Sequence, residues 1–267
     1  MTAPHTPPRD PHEAPPAVLA EKREGILVIT LNRPEAKNAA TEEMALLMAD
    51  ILDDFAADDA LAVAVLTGAG GTFCSGMDLK DFVKGRRPAV EGRGFLALTE
   101  RPAPKPIIAA VEGYAVAGGF ETMLACDLVV AAENAKFGLP EVKRGLVAAA
   151  GGLVALPNRA PRAIAMEMAL TGDMFDAQYV RAAGLVNRVV PAGSALEAAL
   201  ELAAGIAANG PLAVRVTKRV IVEQAGWPAD EAYARQQEIV GPVFESADAK
   251  EGATAFAEKR APRWTGR

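Results

Sequence analysis

The sequence predicts an α/β protein whose last quarter is entirely helical. Short apolar and β-branched segments alternate with segments of helical spacing up to about residue 193. From residue 194 onward only helical patterns follow. Because 51% of the 267 residues are hydrophobic, the chain can bury a large core. We expect a tail at residues 1–16, an α/β core with the active site at residues 17–193, and a helical region at residues 194–267.

The predicted elements follow from apolar periodicity and from turn residues. Strands are predicted at residues 25–31, 60–68, 106–113, 127–133 and 185–190. Helices are predicted from about residue 41, at residues 120–126, 162–170 and 177–183, and then from residues 194, 211 and 228. The helix after Thr41 has apolar residues at helical spacing, among them Met44, Met48 and Phe55. Pro211 and Pro228 are placed at helix starts, where a missing N–H is tolerated.

The first 16 residues, MTAPHTPPRDPHEAPP, contain both histidines of the chain, His5 and His12. This segment is rich in proline and poor in apolar residues, so we expect it to be disordered. It has no apolar core between a basic start and a cleavage site, so a cytoplasmic protein is expected. The two cysteines, Cys74 and Cys126, lie among apolar residues, where reduced thiols pack as small hydrophobic groups.

Composition excludes several classes of function. A net charge of −6 without a sustained basic stretch argues against nucleic acid and against an anionic membrane surface as partners. With no histidine outside the tail, Ser-His-Asp and Cys-His nucleophiles are excluded, and a zinc site lacks its usual imidazole ligands. The stretch GAGGTF lacks the last glycine of a dinucleotide fingerprint, and no P-loop motif occurs. Acid–base chemistry must then use carboxylates, Lys or Tyr.

One glutamate, Glu121, lies in the apolar stretch AVAGGFETMLACD, residues 115–127. It is predicted in the first turn of a helix that follows a strand, behind the pair Gly118-Gly119, where free N–H groups can face an anion. The stretch FCSGMDLKDF also leaves a strand through a glycine turn, so the N–H of Met77 can face outward. Two such amides aimed at one point would stabilise a developing oxyanion.

A second glutamate, Glu141, follows Pro140 in a predicted loop after the strand at residues 127–133. If Glu141 and Glu121 face one cavity, they titrate as a coupled pair and one of them stays protonated near neutral pH. A general acid and a general base need such a pair. Each residue also has a purely structural interpretation. In it, Glu121 complements the positive end of its helix dipole, and Glu141 is an ordinary solvated loop residue.

Several motifs together resemble the crotonase superfamily, the enoyl-CoA hydratase/isomerase group. They are FCSGMDL, KPIIAAVEGYAVAGGFE, CDLVVAAENAKFGLPEVKRGL and AAGLVNRVVP, and the likeness extends from LVITLNRPEAKNA to EGATAFAEKRAPRW. The resemblance implies a ClpP/crotonase-like fold, a spiral of ββα units with a C-terminal helical region for trimerisation. It also implies a homotrimer or a dimer of trimers, and an acyl-CoA thioester as substrate with no further cofactor or metal.

The resemblance assigns roles to particular residues. The oxyanion-hole amides fall on Met77 and Gly118, and the two catalytic glutamates fall on Glu121 and Glu141. The substrate-binding residues are Met77, Asp78, Leu79, Lys80 and Gly118, with Lys80 near the adenosine part of CoA. Lys259 resembles a lysine that reaches the CoA phosphates of a neighbouring subunit.

The implied reaction is the reversible addition of water to a 2,3-trans-enoyl-CoA, which gives a 3-hydroxyacyl-CoA. Carnitinyl-CoA dehydratase, a Δ3-Δ2-enoyl-CoA isomerase and a non-catalytic acyl-CoA-binding protein remain alternatives, and which glutamate acts as acid stays open. The chain departs from the family's pattern after the second glutamate. Typical hydratases have IPGAGG there, whereas this chain has LVAAAGG, so Ala148 and Ala149 replace a proline and a glycine.

Overall fold

The structure is a computed structural model that describes residues 15–267. Both histidines and nearly all of the predicted disordered tail lie outside the described residues. Among the described residues, no helix is long and apolar enough to cross a membrane.

Within residues 15–267 the strands are short and are spread over the first three quarters of the chain. They are β1 Val18–Arg23, β2 Ile26–Leu31, β3 Val63–Gly68, β4 Ala89–Val90, β5 Gly94–Phe95, β6 Ile107–Val111, β7 Tyr114–Val116, β8 Leu128–Ala132, β9 Lys136–Gly138, β10 Phe175–Asp176 and β11 Arg188–Val190. The α-helices are α1 Glu42–Ala57, α2 Leu79–Val83, α3 Gly118–Ala125, α4 Gly152–Arg159, α5 Arg162–Thr171, α6 Ala177–Ala182, α7 Ala195–Ala207, α8 Pro211–Glu223, α9 Ala232–Phe244 and α10 Ala247–Glu258. Single 3-10 turns lie at Pro34–Ala36, Ala69–Gly71, Pro140–Arg144 and Gln224–Gly226.

The main sheet has the strand order β1-β2-β3-β6-β8-β11. β1 and β2 form an antiparallel hairpin, and the remaining neighbours run parallel. A second sheet has the order β10-β9-β7, with β7 and β9 parallel. Twice in succession the chain passes from the main sheet to the second sheet and then into a helical turn, through β6, β7 and α3 and then through β8, β9 and Pro140–Arg144. This alternation gives the predicted spiral of ββα units.

The main sheet is buried on both faces, as expected for parallel strands with short apolar sequences. On one face, the apolar side of α1 packs through Met44, Met48 and Phe55, all fully buried. Thr41 begins this helix as predicted, because its side chain accepts the N–H of Met44.

The other face of the main sheet is covered by α7. The residues Ala195, Ala199 and Ala203 are spaced four apart and lie fully buried against strand residues such as Val65 and Ile108. Alanine lets the helix approach the sheet closely, and the three positions share one helix face. The predicted division between residues 193 and 194 thus falls immediately before a helix that packs directly on the core sheet, and it stays a prediction.

Some predicted elements differ in the structure. The helix predicted from Pro228 begins at Ala232, because Glu231 N donates to Pro228 O at 3.0 Å and closes a separate turn. Glu141 lies in the 3-10 turn Pro140–Arg144 and not in an open loop, since Pro140 fixes a helical φ at its start. The strands β1, β7 and β9 were not predicted from the sequence.

Candidate active site

The start of α3 has an unusual backbone conformation. Ala117 precedes the helix with φ 52° and ψ −131°, a region that favours glycine. Its carbonyl oxygen accepts the N–H groups of Phe120 and Glu121 at 2.9 and 3.0 Å. The N–H of Gly118 has no acceptor among the described residues. Strain at this position therefore accompanies an amide that points away from the rest of the helix.

Met77 lies on an extended segment beside Ala40. The N–H of Ala40 donates to Gly76 O at 2.7 Å, and Asp78 N donates to Ala40 O at 2.9 Å. Because the direction of the amides alternates along an extended chain, the N–H of Met77 points away from Ala40. No acceptor for this N–H is found within residues 15–267.

The two predicted amides belong to segments in close contact. A methyl group built on Gly76 would lie 3.3 Å from Gly118 N and 2.8 Å from the Cβ of Ala117. One on Gly119 would lie 2.2 Å from Cys74 O, so only glycine permits this approach. The segment before Met77 and the start of α3 thus lie side by side, each with an outward amide.

Glu121 is buried in the first turn of α3, with only 4% of its surface exposed. Its Oε1 accepts the N–H of Ala150 at 2.9 Å and that of Gly152 at 2.8 Å. Burial raises the pKa of Glu121 to about 7, and the negative charge of Glu141 raises the pKa as well, while the two backbone hydrogen bonds act in the opposite direction.

This arrangement distinguishes the two interpretations of Glu121. A glutamate that only complements its helix dipole would interact with the free amides of its own first turn. Glu121 instead directs Oε1 across to the amides before and at the start of α4, and its Oε2 accepts no hydrogen bond from any described residue. One oxygen is therefore held by the protein, and the other is available to a reactant.

Glu141 is half-buried in the 3-10 turn after β9. Its Oε2 is fully buried and has no hydrogen-bond partner among the described residues. Burial raises the pKa of Glu141 above the usual glutamate range, while the nearby Arg144 acts to lower it. A buried carboxyl oxygen without a partner favours the protonated form or a bound polar molecule.

The segment from Asp78 to Lys80 begins α2. Asp78 accepts Lys80 N at 2.9 Å through Oδ1 and binds both terminal nitrogens of Arg33, at 3.1 Å each, through Oδ2. A groove of about 570 Å³ adjoins it, lined mainly by α1, α2 and the residues that follow α2. Its charged lining consists of Arg33, Lys80, Lys84 and Arg86 together with Glu42, Glu43, Asp50, Asp78 and Asp81. Neither lysine forms an ion pair within residues 15–267.

The structure brings six of the predicted site residues into two neighbouring segments. Met77, Asp78, Leu79 and Lys80 are consecutive, and Gly118 and Glu121 share the first turn of α3, which contacts the segment before Met77. Glu141 is close enough to act on the charge of Glu121. Lys259 follows the last residue of α10 with φ 54° and forms no ion pair with any described residue.

The backbone groups that hold Glu121 were not predicted from the sequence. The amides of Ala150 and Gly152 come from the stretch AAAGG, which was noted only as a departure from the family's pattern. A methyl group on Gly152 would lie 2.8 Å from the Cγ of Glu121, so the double glycine was the available signal. In the part of the chain that the structure describes, no group of three or more His, Cys, Asp or Glu residues could hold a metal ion.

The ββα spiral followed by C-terminal helices makes this a crotonase-fold chain, as predicted. The model of the family described as enoyl-CoA hydratase/isomerase matches residues 21–267. The chain belongs to the enoyl-CoA hydratase/isomerase family, and the resemblance seen in its motifs is confirmed.

Relatives of this family are similar over almost their whole length. The enoyl-CoA hydratase EchA19 of Mycobacterium tuberculosis is 43% identical over 264 residues, which are 96% of this chain and 98% of the relative. The carnitinyl-CoA dehydratase of Proteus mirabilis is 42% identical over 253 residues, 92% of this chain and 97% of the relative. The crystal structure of enoyl-CoA hydratase EchA1 from Mycobacterium marinum matches with a TM-score of 0.93 and 58% identity, and the match covers 95% of this chain and 100% of that one.

Proposed function

We propose that this chain is an enoyl-CoA hydratase, a hydro-lyase that adds water reversibly to a 2,3-trans-enoyl-CoA. The observation that supports this most strongly is the pair Glu121 and Glu141, the first buried and the second half-buried, both with a raised pKa, beside two outward backbone amides. Carboxyl groups tuned in this way can exchange protons near neutral pH. The names of the similar proteins, all of them acyl-CoA enzymes, point in the same direction.

The thioester carbonyl oxygen would bind between the N–H groups of Met77 and Gly118. As water adds to C3, negative charge moves from the double bond onto this oxygen and forms an enolate. Two preorganised amides stabilise that charge more than the neutral carbonyl, and this difference accelerates the reaction. The positive φ of Ala117 favours the role, because a strained residue keeps the amide of Gly118 outward.

The two glutamates would exchange protons with water and with C2. Glu121 as carboxylate removes a proton from water while the oxygen bonds to C3, and protonated Glu141 delivers a proton to C2 as the enolate collapses. The two amides on Oε1 of Glu121 favour its anionic form, and the unpartnered Oε2 of Glu141 favours a bound proton. Because the pair titrates together, the reverse assignment of acid and base is the alternative.

The rest of the substrate would be recognised through CoA, and the reaction needs no other cofactor. Asp78, Leu79 and Lys80 begin α2 next to Met77, so a thioester held by Met77 places its CoA along this segment. The adjoining groove also carries carboxylates, but Arg33 and Arg86 pair with Asp78 and Asp81, whereas Lys80 and Lys84 form no ion pair within residues 15–267 and would bind the negatively charged phosphates of CoA. Lys259 would act on the CoA of a neighbouring subunit.

A homotrimer or a dimer of trimers is part of the proposal. Large apolar side chains are exposed on the C-terminal helices, with Ile221 65%, Tyr233 81%, Phe244 77% and Phe256 87% exposed. Such a surface is typical of a protein–protein interface. Sedimentation equilibrium distinguishes three subunits from six. We also propose a cytoplasmic location, which fractionation of the native host tests.

The second candidate is carnitinyl-CoA dehydratase, which the 42% identical protein of Proteus mirabilis favours. Such a substrate bears a trimethylammonium group and needs carboxylates or aromatic rings at the end of the acyl pocket. Turnover of crotonobetainyl-CoA measured against crotonyl-CoA decides between the two. Isomerisation of a 3-enoyl-CoA in place of hydration would indicate the isomerase.

The mechanism is tested by the variant Glu141→Gln. It keeps the size of the side chain and removes the exchangeable proton, so acyl-CoA binding should persist while hydration, followed by loss of the conjugated-thioester absorbance, falls by about 10²–10⁴-fold. Glu133→Gln is a matched control, because Glu133 is exposed. Near-parental turnover by Glu141→Gln would refute the mechanism. If the parent protein binds acyl-CoA without loss of the conjugated-thioester absorbance, it is a non-catalytic acyl-CoA-binding protein.

A further inference from the structure

The helices α3 and α4 lie side by side, run in the same direction and are connected at both ends. At their first turns, Oε1 of Glu121 accepts the amides of Ala150 and Gly152. At their last turns, the guanidinium of Arg159 donates to the carbonyl oxygens of Leu124, of Cys126 at 3.0 Å and of Asp127 at 3.2 Å. The connection at the catalytic end and the connection at the far end are therefore made by opposite ends of the same short helix, α4.

The carbonyl groups that Arg159 binds would otherwise lack partners. Leu124 lies in the last turn of α3, where the carbonyls have no intrahelical donor and form the negative end of the helix, and Cys126 and Asp127 follow directly after that end. Cys126 is buried, so water cannot replace a lost donor there, and a half-buried guanidinium satisfies three oxygens at once. Arg159 thus fixes the end of α4 to the end of α3.

Apart from these end connections, α4 is held by a small set of contacts, namely the buried Leu156, the partly buried Ala155 and its packing against α5. The helix spans eight residues and contains Pro157, and its N-cap residue, Gly151, provides no side-chain hydrogen bond. Of its residues only Gly152 and Leu156 are buried, whereas Val154 is 71% exposed. A helix this short, with a proline inside and few buried residues, is not stable by itself. These contacts are few, so the groups at its two ends contribute to fixing its position relative to α3.

We propose that Arg159 is a positioning residue for catalysis: by binding carbonyls at and directly after the end of α3, it fixes α4 and thereby the two amides that hold Glu121. This inference rests on the proposed function, in which Glu121 is the base that acts on water. Arg159 does not touch the substrate, since it lies at the opposite end of both helices.

The charged groups around Glu121 and Arg159 determine how a substitution of Arg159 changes the pKa of Glu121. Glu121 is faced by Glu141 from the 3-10 turn after β9. Arg159 lies beside Cys126, whose thiol also feels the charges of Asp127 and of Lys218 from α8, and these two bind each other at 2.6 Å. Loss of Arg159 leaves this ion pair in place and lets α4 withdraw its amides. The amides favour the carboxylate of Glu121, so their withdrawal raises the pKa of Glu121 further.

The test compares Arg159→Met with Arg159→Lys and with the control Arg162→Met, which removes an exposed arginine at the start of α5. The acidic limb of kcat/KM for crotonyl-CoA should move upward by about one pH unit in Arg159→Met, with about tenfold less activity below the limb. KM should stay within about twofold, since no substrate contact is lost. Arg159→Lys should give a smaller shift, because one ammonium can still bind these carbonyls, and Arg162→Met should behave as the parent.

A second measurement does not depend on turnover. The carboxyl carbon of Glu121 is followed by NMR in protein labelled with [5-¹³C]glutamate, and its resonance is assigned by its loss in Glu121→Gln. Its midpoint should rise in Arg159→Met. An unchanged midpoint and an unchanged acidic limb, whatever the loss of rate, would overturn the positioning role. So would failure of both Arg159 variants to fold, which would assign the residue to global stability. Absence of hydration by the parent protein would refute the proposed function. The NMR midpoint of Glu121 would then still show whether Arg159 positions the amides that hold Glu121.

Discussion

Replacing Glu121 by Gln should remove a pH dependence from the folding stability. Burial raises the pKa of Glu121 from an ordinary 4.5 to about 7, a difference of about 2.5 units. At about 1.4 kcal/mol per unit, full ionisation of this group destabilises the folded protein by about 3.5 kcal/mol. Because the pKa of Glu121 is higher in the folded than in the unfolded protein, the folded protein has its full stability below pH 4.5. It loses this free energy of unfolding as the pH rises from 4.5 through 7. Glutamine does not ionise and loses nothing over this range.

The assay is urea unfolding of the parent and of Glu121→Gln at several pH values between about 4.5 and 8. Protomer concentration is kept constant, because any association adds to the measured stability. The stability of the parent relative to Glu121→Gln should fall by about 3 kcal/mol across the range. Glu133→Gln, at an exposed position, should show a constant difference from the parent. A constant difference for Glu121→Gln as well would refute the raised pKa and the argument from burial.

Two further substitutions test the oxyanion-hole amide of Gly118 and the part-buried ion pair between Lys218 and Asp127. In Gly118→Ala, the new methyl would lie 2.5 Å from the ring of Phe95, so the amide should shift and kcat/KM for crotonyl-CoA should fall by about 10²–10³; unchanged kinetics would contradict the oxyanion role. Lys218→Met leaves the part-buried Asp127 without its ammonium and should reduce the free energy of unfolding by about 2 kcal/mol, whereas Arg219→Met at an exposed pair should change it by less than about 0.5. Equal effects in urea unfolding would refute the second estimate.

The elements that the sequence predicted are those with a strong apolar pattern. The strands β2, β3, β6 and β8 and the helix α1 bury continuous or evenly spaced apolar residues. β1 was missed because only Val18 of its six residues is buried, and the other five are exposed, three of them charged. β7 and β9 were missed because three residues are too few to show a period of two.

Part of the candidate site could likewise be predicted from the sequence, and part of it could not. Gly118, Glu121 and Glu141 could be found because glycine pairs and carboxylates in apolar stretches are visible in a sequence. The acceptor geometry of Glu121 and the unpartnered Oε2 of Glu141 depend on how α3, α4 and the turn Pro140–Arg144 meet in space. Backbone amides leave no signal in the residue type, so only their glycines could have indicated them.

The alanine face of α7 also has a consequence for the order of events during synthesis. The strand residues Val63, Val65 and Ile108 leave the ribosome long before α7, the helix that covers them. At 5–20 residues per second, the interval between the completion of α4 and of α7 lasts on the order of seconds. During this time the nascent chain contains every residue of the candidate site except Lys259, yet one face of its central sheet is still uncovered. A chaperone that binds apolar strands would find its target in this interval, and a stop codon before residue 195 would make that exposure permanent.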